Sequence, residues 1–86
     1  MNSKVIVKII VPEIDQVFDM YLPVNKKIGN IIELISKAIN ELTTGEYTVS
    51  NTTVLVNVET DIEYEPDILL LNTDIRNGTK LVLISE

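Results

Sequence analysis

Residues 26–42 place their apolar side chains at the spacing of an α-helix, and this constrains the fold more than any other feature of the 86-residue chain. A single stripe, at about 100° per residue, contains Ile28, Ile31, Ile32, Ile35, Ala38, Ile39 and Leu42. The opposite side is predicted to hold Gly29, Asn30, Glu33, Ser36, Lys37, Asn40 and Glu41. Because isoleucine is a weak helix former, we expect packing against a sheet to hold this helix in place.

The residues around this segment predict where the helix starts and stops. Pro23 has no N–H to give to a strand ladder, so it is expected to end the strand before the helix. Asn25 is the predicted N-cap. At the other end, Thr43, Thr44 and Gly45 supply a stop, with glycine in the position that favours a left-handed backbone.

Two strands are predicted before the helix. Residues 4–11 alternate, with the odd-numbered Val5, Val7, Ile9 and Val11 on one face and Lys4, Ile6, Lys8 and Ile10 on the other. Residues 12–15 are typical of a turn, and residues 16–22 alternate again, with Val17, Asp19 and Tyr21 on one side. We therefore expect the two strands to pair as a hairpin.

Strands and loops are predicted after the helix. Residues 46–51 are polar and loop-like, residues 53–58 form a strand, and residues 62–64 form a short one. Residues 66–71 fit either a strand that pairs through the Asn77-Gly78 turn or a short helical turn. The last strand, residues 79–85, places Leu81 and Leu83 on one face and Lys80, Val82 and Ile84 on the other.

Size and composition limit the function. A chain of 86 residues suffices for one core, so a single domain spanning residues 1–86 is expected. No apolar run approaches the roughly 18 residues of a membrane span, so direct membrane insertion is not expected. The first residues lack a secretory signal, which makes the cytoplasm the expected location. The chain has no Cys and no His, and this excludes disulfides, thiolate chemistry, His-dependent triads and zinc sites of the usual ligand type.

The charge of the chain argues against nucleic acid as a partner. The formal net charge is -6, and the second half is the more acidic one, because residues 41–86 offer only Arg76 and Lys80 as cations. A protein that binds phosphate backbones usually presents a basic stripe, which this sequence lacks. One Phe and three Tyr supply no stacking platform for bases.

The order strand, strand, helix, strand, short strand, strand resembles the ubiquitin-like β-grasp. The resemblance implies an α+β fold in which a mixed four- to five-stranded sheet wraps around one α-helix. It implies that the first and last strands lie side by side at the centre of the sheet. It also implies that residues 66–71 form a connecting turn, and that Ile75, in the turn before the last strand, fills the core.

Ubiquitin and the sulfur-carrier β-grasp proteins extend beyond this last strand to a flexible Gly-Gly terminus, which their activating enzymes use. The present chain stops at Ile84, Ser85 and Glu86. Conjugation and sulfur transfer are therefore not expected, unless the native chain continues beyond Glu86.

Three stretches resemble the YukD family, small ubiquitin-like accessory proteins of bacterial type VII secretion. They are DMYLPV at residues 19–24, IGNIIELI at residues 28–35 and IRNGTKLVLI at residues 75–84. The resemblance implies a cytoplasmic protein, not an enzyme, that is needed for or regulates export through contact with a membrane-bound secretion ATPase or another secretion component. It implies neither catalytic residues nor a cofactor. Two alternatives stay open: a ubiquitin-like modifier or sulfur carrier lacking its Gly-Gly tail, and a β-grasp adaptor of an unrelated pathway.

The side of the central strands turned away from the helix is the candidate partner-binding surface. Its predicted members are Ile6, Lys8, Ile10, Lys80, Val82 and Ile84. Four aliphatic side chains in one patch are more than a solvated face needs, and a rim of lysines would suit acidic residues on a partner protein. The same patch could make a homodimer. The blander interpretation is that these residues follow β propensity alone or are covered by loops.

Two groups of acidic residues were considered as a metal site or an acid–base pair. Acids occupy alternate positions of residues 59–67, but the glycine and terminal glutamate of an EF-hand are missing, so a solvated loop is favoured and no metal site is expected. A carboxylate pair drawn from Asp15, Asp19 or Glu33 could do acid–base work, yet nothing in the sequence places such a pair in an apolar pocket.

Overall fold

A computed structural model describes residues 3–47 and 50–86 of the chain. The main elements follow one another as β1 (Lys4–Val11), β2 (Gln16–Pro23), α1 (Ile28–Leu42), β3 (Thr53–Asn57) and β4 (Lys80–Ser85). Short 3₁₀ turns lie at Pro12–Ile14 and Leu70–Asn72. Part of the predicted loop at residues 46–51 lies outside the described residues.

β1 and β4 are neighbours at the centre of a four-stranded sheet of order β2-β1-β4-β3. They run parallel, with Lys8 beside Lys80 and Ile10 beside Val82. The flanking pairs, β1 with β2 and β3 with β4, are antiparallel. The α+β class, the first hairpin and the central position of the first and last strands are therefore confirmed, with four strands in the sheet.

One hydrophobic core lies between the sheet and α1. Its strand and helix members include Val7, Ile9, Val11, Leu81, Leu83, Ile28, Ile31, Ile32, Ile35 and Ile39. Ile75, in the turn before β4, is also fully buried, which confirms the prediction that it fills the core. Burying one such aliphatic side chain stabilises a fold by about 1.5–3 kcal/mol, so this cluster is the main source of stability.

The buried face of α1 differs from the predicted stripe at three positions. Leu42 is 67% exposed and Ala38 is half-buried, because both face the edge strand β2 and not the core. Ser36 was predicted on the polar side but is buried. It lies four residues after Ile32 and three before Ile39, so it shares the face of those two core residues.

The predicted N-cap is wrong, because α1 begins at Ile28 with Lys27 as its N-cap and no side chain caps it. Backbone carbonyls take the role expected of Asn25. The N–H of Ile28 donates to the carbonyl of Ile68 at 2.9 Å, and the N–H of Gly29 donates to that of Pro66 at 2.9 Å. The connecting segment at residues 66–71 therefore satisfies the first helical N–H groups that a cap would otherwise serve.

The predicted short strand at residues 62–64 is reduced to a single bridge, between Val56 and Glu63. The Asn57 amide oxygen accepts hydrogen bonds from the N–H groups of Glu59 and Thr60, which turns the chain sharply after β3. Pro66 then offers no N–H, and the chain leaves the sheet toward α1. The connecting turn that the resemblance implied for residues 66–71 is confirmed.

Glycines with a positive φ end α1 and precede β4. Gly45, at φ 86, donates its N–H to the carbonyl of Asn40 at 2.8 Å, which confirms the predicted helix stop. Gly78, at φ 90, donates to the carbonyl of Ile6 at 2.9 Å. The turn before β4 is thereby joined to β1, and the two central strands are brought into register.

Candidate functional site

The outer face of the sheet, the face opposite α1, carries all six predicted partner-binding residues. On β1, Val7 and Ile9 are buried against the helix, so Ile6, Lys8 and Ile10 lie on the other side. On β4 the same alternation places Lys80, Val82 and Ile84 on the outer face. Whether these residues bind a partner stays a prediction.

A row of apolar side chains crosses the outer face from one sheet edge to the other. Ile10 lies beside Val17 of β2 and Val82 of β4, and Val82 lies beside Val56 of β3. We call these four residues the apolar row. Side chains at such paired positions are about 4.5–5.5 Å apart at Cβ. The row is therefore continuous across all four strands.

Ile84 extends the apolar row at the β3 side of the sheet. It lies two residues beyond Val82 on β4 and beside Val54 of β3. Ile6, by contrast, lies four residues before Ile10, about 13 Å away along the strand, and beside Tyr21. The predicted patch of four aliphatic residues is thus divided: three of them lie together and Ile6 lies apart.

A charged row separates Ile6 from the apolar row. It consists of Asp19 of β2, Lys8 of β1 and Lys80 of β4, which lie side by side. The Lys8 Nζ is 3.0 Å from the Asp19 Oδ1, and both side chains are largely exposed, so the pair adds little stability. Within residues 3–47 and 50–86, Lys80 makes no ion pair. Its charge is the one left without a counterion in this row.

Sequence reasoning missed four apolar members of the outer face: Val17, Tyr21, Val54 and Val56. Val17 and Tyr21 are 54% and 69% exposed. The signal for them was present, because a β1–β2 hairpin closed by residues 12–15 requires Val17 to pair with Ile10. Val54 and Val56 could not be placed from the sequence, since the partner of β3 was not fixed by a short turn.

A polar cluster ties the end of β3 to the loop before β4. The Tyr64 hydroxyl accepts a hydrogen bond from the Asn57 amide at 3.0 Å and donates one to the Asp74 carboxylate. Burial, reinforced by the bond to Asp74, raises the pKa of Tyr64 to about 12. Asn57 and Tyr64 are buried and Asp74 is exposed, so the cluster anchors the loop before β4 to the end of β3, and its evident role is structural.

Among the described residues, the remaining acids form no metal centre. A side-chain hydrogen bond donated to Glu86, followed by partial desolvation and the charge of Glu86, raises the pKa of the exposed Glu63 carboxyl. Among the residues that the structure describes, no three metal-ligating side chains come together. Of the carboxylates considered for acid–base work, Asp19 forms a salt bridge with Lys8 on the outer face, and Glu33 lies exposed on α1. What the outer face can do chemically is make apolar contact and attract a carboxylate.

No protein-family model and no curated protein sequence matches the chain. Solved structures match it over its whole length. The ubiquitin-like domain of the Mycobacterium tuberculosis type VII secretion system protein ECCD1 superimposes with a TM-score of 0.75 at 16% identity, over 98% of this chain and 100% of that one. The N-terminal ubiquitin-like domain of the 4931431F19Rik protein gives 0.75 at 15% identity, over 100% of this chain and 78% of that one. The fold is the ubiquitin-like β-grasp.

The β-grasp of this chain is also similar to part of a larger protein. A chain of the ESX-5 inner membrane complex matches with a TM-score of 0.76 at 18% identity, over 99% of this chain but only 22% of that chain. The present β-grasp thus spans about a fifth of that protein. In the described part of the chain, no helix is long and apolar enough to cross a membrane.

Proposed function

We propose that this β-grasp protein is a non-covalent protein-interaction module of bacterial type VII secretion, and that it binds its partner through the outer face of the sheet. The observation that carries the proposal is the apolar row, which crosses four strands without a charged side chain. Its central members are only half-buried, and Val17 is 54% exposed. Continuous exposed apolar surface of this kind commonly marks an interface.

The charges beside the apolar row define the partner that fits it. Lys8 is neutralised by Asp19, whereas Lys80 makes no ion pair within the described residues. A partner surface with an aliphatic or aromatic centre and a carboxylate opposite Lys80 would therefore be complementary. Such charge complementarity chiefly fixes the orientation of the partner and speeds association.

Two likenesses support the link to secretion. The ECCD1 domain and the ESX-5 chain share the fold, and the three quoted stretches resemble YukD proteins. On this proposal the chain works in the cytoplasm, is not an enzyme, and contacts a membrane-bound secretion ATPase or another secretion component.

The test is capture of the tagged full-length chain from its native cell, with the co-purified secretion ATPase quantified. Val82→Thr and Ile84→Thr keep β-branched side chains but remove aliphatic surface from the outer face. Ile62→Thr is the matched control, because Ile62 is 46% exposed and lies outside this face. We expect the two outer-face variants to lose most of the ATPase while the control retains it, with all three equally folded by circular dichroism.

Intact mass spectrometry of the same captured chain separates the alternatives. An unmodified mass agrees with a non-covalent module, whereas adducts to other proteins or a sulfur-bearing terminus would favour a modifier or sulfur carrier. A chain that binds only its own copies through the outer face, or partners of another pathway, would overturn the secretion role.

A further inference from the structure

A cleft at the β3 edge of the sheet is left unused by the proposed function. It has a volume of about 570 Å³ and is lined by residues from the first turns of α1, from the start of β3 with the residues just before it, and from the loop after β3. Ligand-binding clefts typically measure about 300–1,000 Å³. The cleft is therefore large enough to receive side chains of a partner.

The loop after β3 forms the cleft by leaving the sheet early. The loop covers the strand at Leu55, whose carbonyl accepts the N–H of Tyr64 at 3.1 Å. Two residues later, the carbonyl of Pro66 accepts the N–H of Gly29 at 2.9 Å, so the loop has crossed to α1. Gly29 permits this approach, since an added Cβ would lie 3.3 Å from the Pro66 carbonyl oxygen. The start of β3 is left uncovered by the loop, and the cleft lies there.

Apolar residues and exposed acids line the cleft together. Ile32 and Tyr64 are buried, and Val54 is half-buried. Glu33 lines the cleft from α1 and Glu63 lines it from the loop, and both are exposed. Long basic side chains lay an aliphatic stem along apolar surface and keep the charged head in a polar environment. A side chain of this kind matches the lining of the cleft.

The two carboxylates of the cleft are not neutralised by the protein itself. In the part of the chain that the structure describes, neither Glu33 nor Glu63 forms a salt bridge. Lys26 and Lys37 share a separate shallow depression with Glu33, but neither of them lines the cleft. Both acids are therefore available to a cation from outside.

Like charges lie close together around Glu63. A side-chain hydrogen bond to Glu86, then partial desolvation, and then the charges of Glu86 and Glu65 raise the pKa of Glu63. None of the described residues that line the cleft carries a positive charge. Repulsion between carboxylates is relieved when a cation binds beside them. The local charge therefore favours a cationic ligand.

Arginine fits the cleft better than lysine does. Its planar guanidinium presents several N–H donors in a fixed geometry, whereas lysine presents a compact charge. Besides the two carboxylates, the cleft is lined by Ser50 and Asn51, whose side chains offer further acceptors. A group with several donors can use several of these acceptors at once.

We propose that this cleft binds an arginine side chain carried by a segment of a partner protein. The aliphatic stem of the arginine packs on Ile32 and Val54, and its guanidinium donates hydrogen bonds to the carboxylates of Glu33 and Glu63. The cleft needs a cation, whereas Lys80 on the outer face needs a carboxylate. The proposal therefore does not depend on the outer-face contact.

A protein segment suits this site better than a free amine because the acids continue beyond the cleft. Glu65 and Asp67 follow Glu63 along the loop, and both are exposed. A second basic residue of the same segment can face them while the first occupies the cleft. A small amine would leave these outer acids unused.

The test titrates the full-length chain with the end-blocked peptide Gly-Arg-Val-Arg-Gly and follows the backbone amides by nuclear magnetic resonance. The signals of Ile32, Glu33 and Glu63 should shift, while those of Lys80 and Val82 stay in place. Citrulline in place of both arginines keeps the shape but removes the charge, and should weaken binding about tenfold. Lysine in place of both arginines should weaken it about threefold, because an ammonium lacks the fixed fork of donors.

Two double variants with the same change in net charge provide the matched comparison. Glu33→Gln with Glu63→Gln neutralises the cleft, and Glu13→Gln with Glu41→Gln neutralises two exposed acids outside it. The first pair should weaken the arginine peptide about tenfold, and the second should leave its affinity unchanged. Urea unfolding should show that the cleft variant is no less stable than the wild type, because neutralising Glu63 removes repulsion.

Several outcomes would overturn the proposal. They are no binding at millimolar peptide, equal effects of the two double variants, equal affinity of the citrulline peptide, and shifts confined to the outer face. Spermidine that binds as tightly as the arginine peptide would overturn it in favour of a free polyamine. Val82→Thr should bind the arginine peptide as the wild type does, so a failure of the outer-face contact and a failure of this cleft can be told apart.

Discussion

Tyr64 donates a hydrogen bond from its buried hydroxyl to the carboxylate of Asp74, ten residues further along the chain. The same hydroxyl accepts from Asn57 at the end of β3. One side chain therefore joins the last residue of an edge strand to the loop that leads into the central strand β4. Because the connecting segment 66–71 also caps α1, this bond helps fix the loop that supports the helix start.

Replacing Tyr64 by Phe should destabilise the protein by about 1–3 kcal/mol, because the buried Asn57 amide loses its acceptor. Urea unfolding followed by circular dichroism measures the loss. Tyr21→Phe is the control: Tyr21 is 69% exposed on the outer face, and its change should stay within about 0.5 kcal/mol. Equal losses in the two variants would show that the Tyr64 hydroxyl has no special role.

The raised pKa of Tyr64 predicts a loss of stability at alkaline pH. The folded state holds the phenolic proton more tightly, with a pKa of about 12 against an ordinary value of 10.0. The protonated Tyr64 hydroxyl therefore makes its full contribution to the free energy of unfolding below about pH 10, and this contribution is lost as the pH rises toward 12. Urea unfolding across this range should show the wild type converging on Tyr64→Phe. A constant difference between the two proteins would contradict the assigned titration.

Ile39→Ala and Leu42→Ala test which of the residues in the predicted stripe of α1 belong to the core. Ile39 is fully buried, so its truncation should cost about 2–5 kcal/mol by leaving a cavity. Leu42 is 67% exposed, and its truncation should change the free energy of unfolding by no more than about 0.5 kcal/mol. Both lie in the last two turns of one helix, and alanine is the better helix former at each position, so helix propensity cannot account for a loss at Ile39. Similar losses of stability in the two variants would show that Leu42 contributes to the core, as the sequence predicts.

The strands and the helix were predictable because their periodicity is set by short-range packing. Alternation in residues 4–11 and 16–22, and the isoleucine spacing of α1, each follow from which side of an element faces the core. The order of elements then supplied the topology through its resemblance to the β-grasp. The confirmed burial of Ile75 is a consequence of that topology and not of any local pattern.

The predictions that were wrong or incomplete concern contacts between segments distant in sequence. The cap of α1 comes from carbonyls of Pro66 and Ile68, about forty residues away, so no local signal near Asn25 could compete with it. The outer face was only half predicted for a similar reason. Ile10, Val82 and Ile84 followed from alternation, whereas the neighbours on β3 depend on sheet order and register.

The last prediction concerns Gly78, whose φ of 90 no side chain readily adopts. No heavy atom lies within 4 Å of an added Cβ, so Gly78→Ala should be destabilising through backbone strain alone, by about 1–2 kcal/mol. Gly78→Asn should cost less, because Asn tolerates a positive φ better than Ala does. Urea unfolding of the two variants gives the comparison. If Gly78→Ala and Gly78→Asn lower the free energy of unfolding equally, the loss comes from adding a side chain and not from the positive φ. The turn that aligns β4 with β1 would then be able to adapt its backbone.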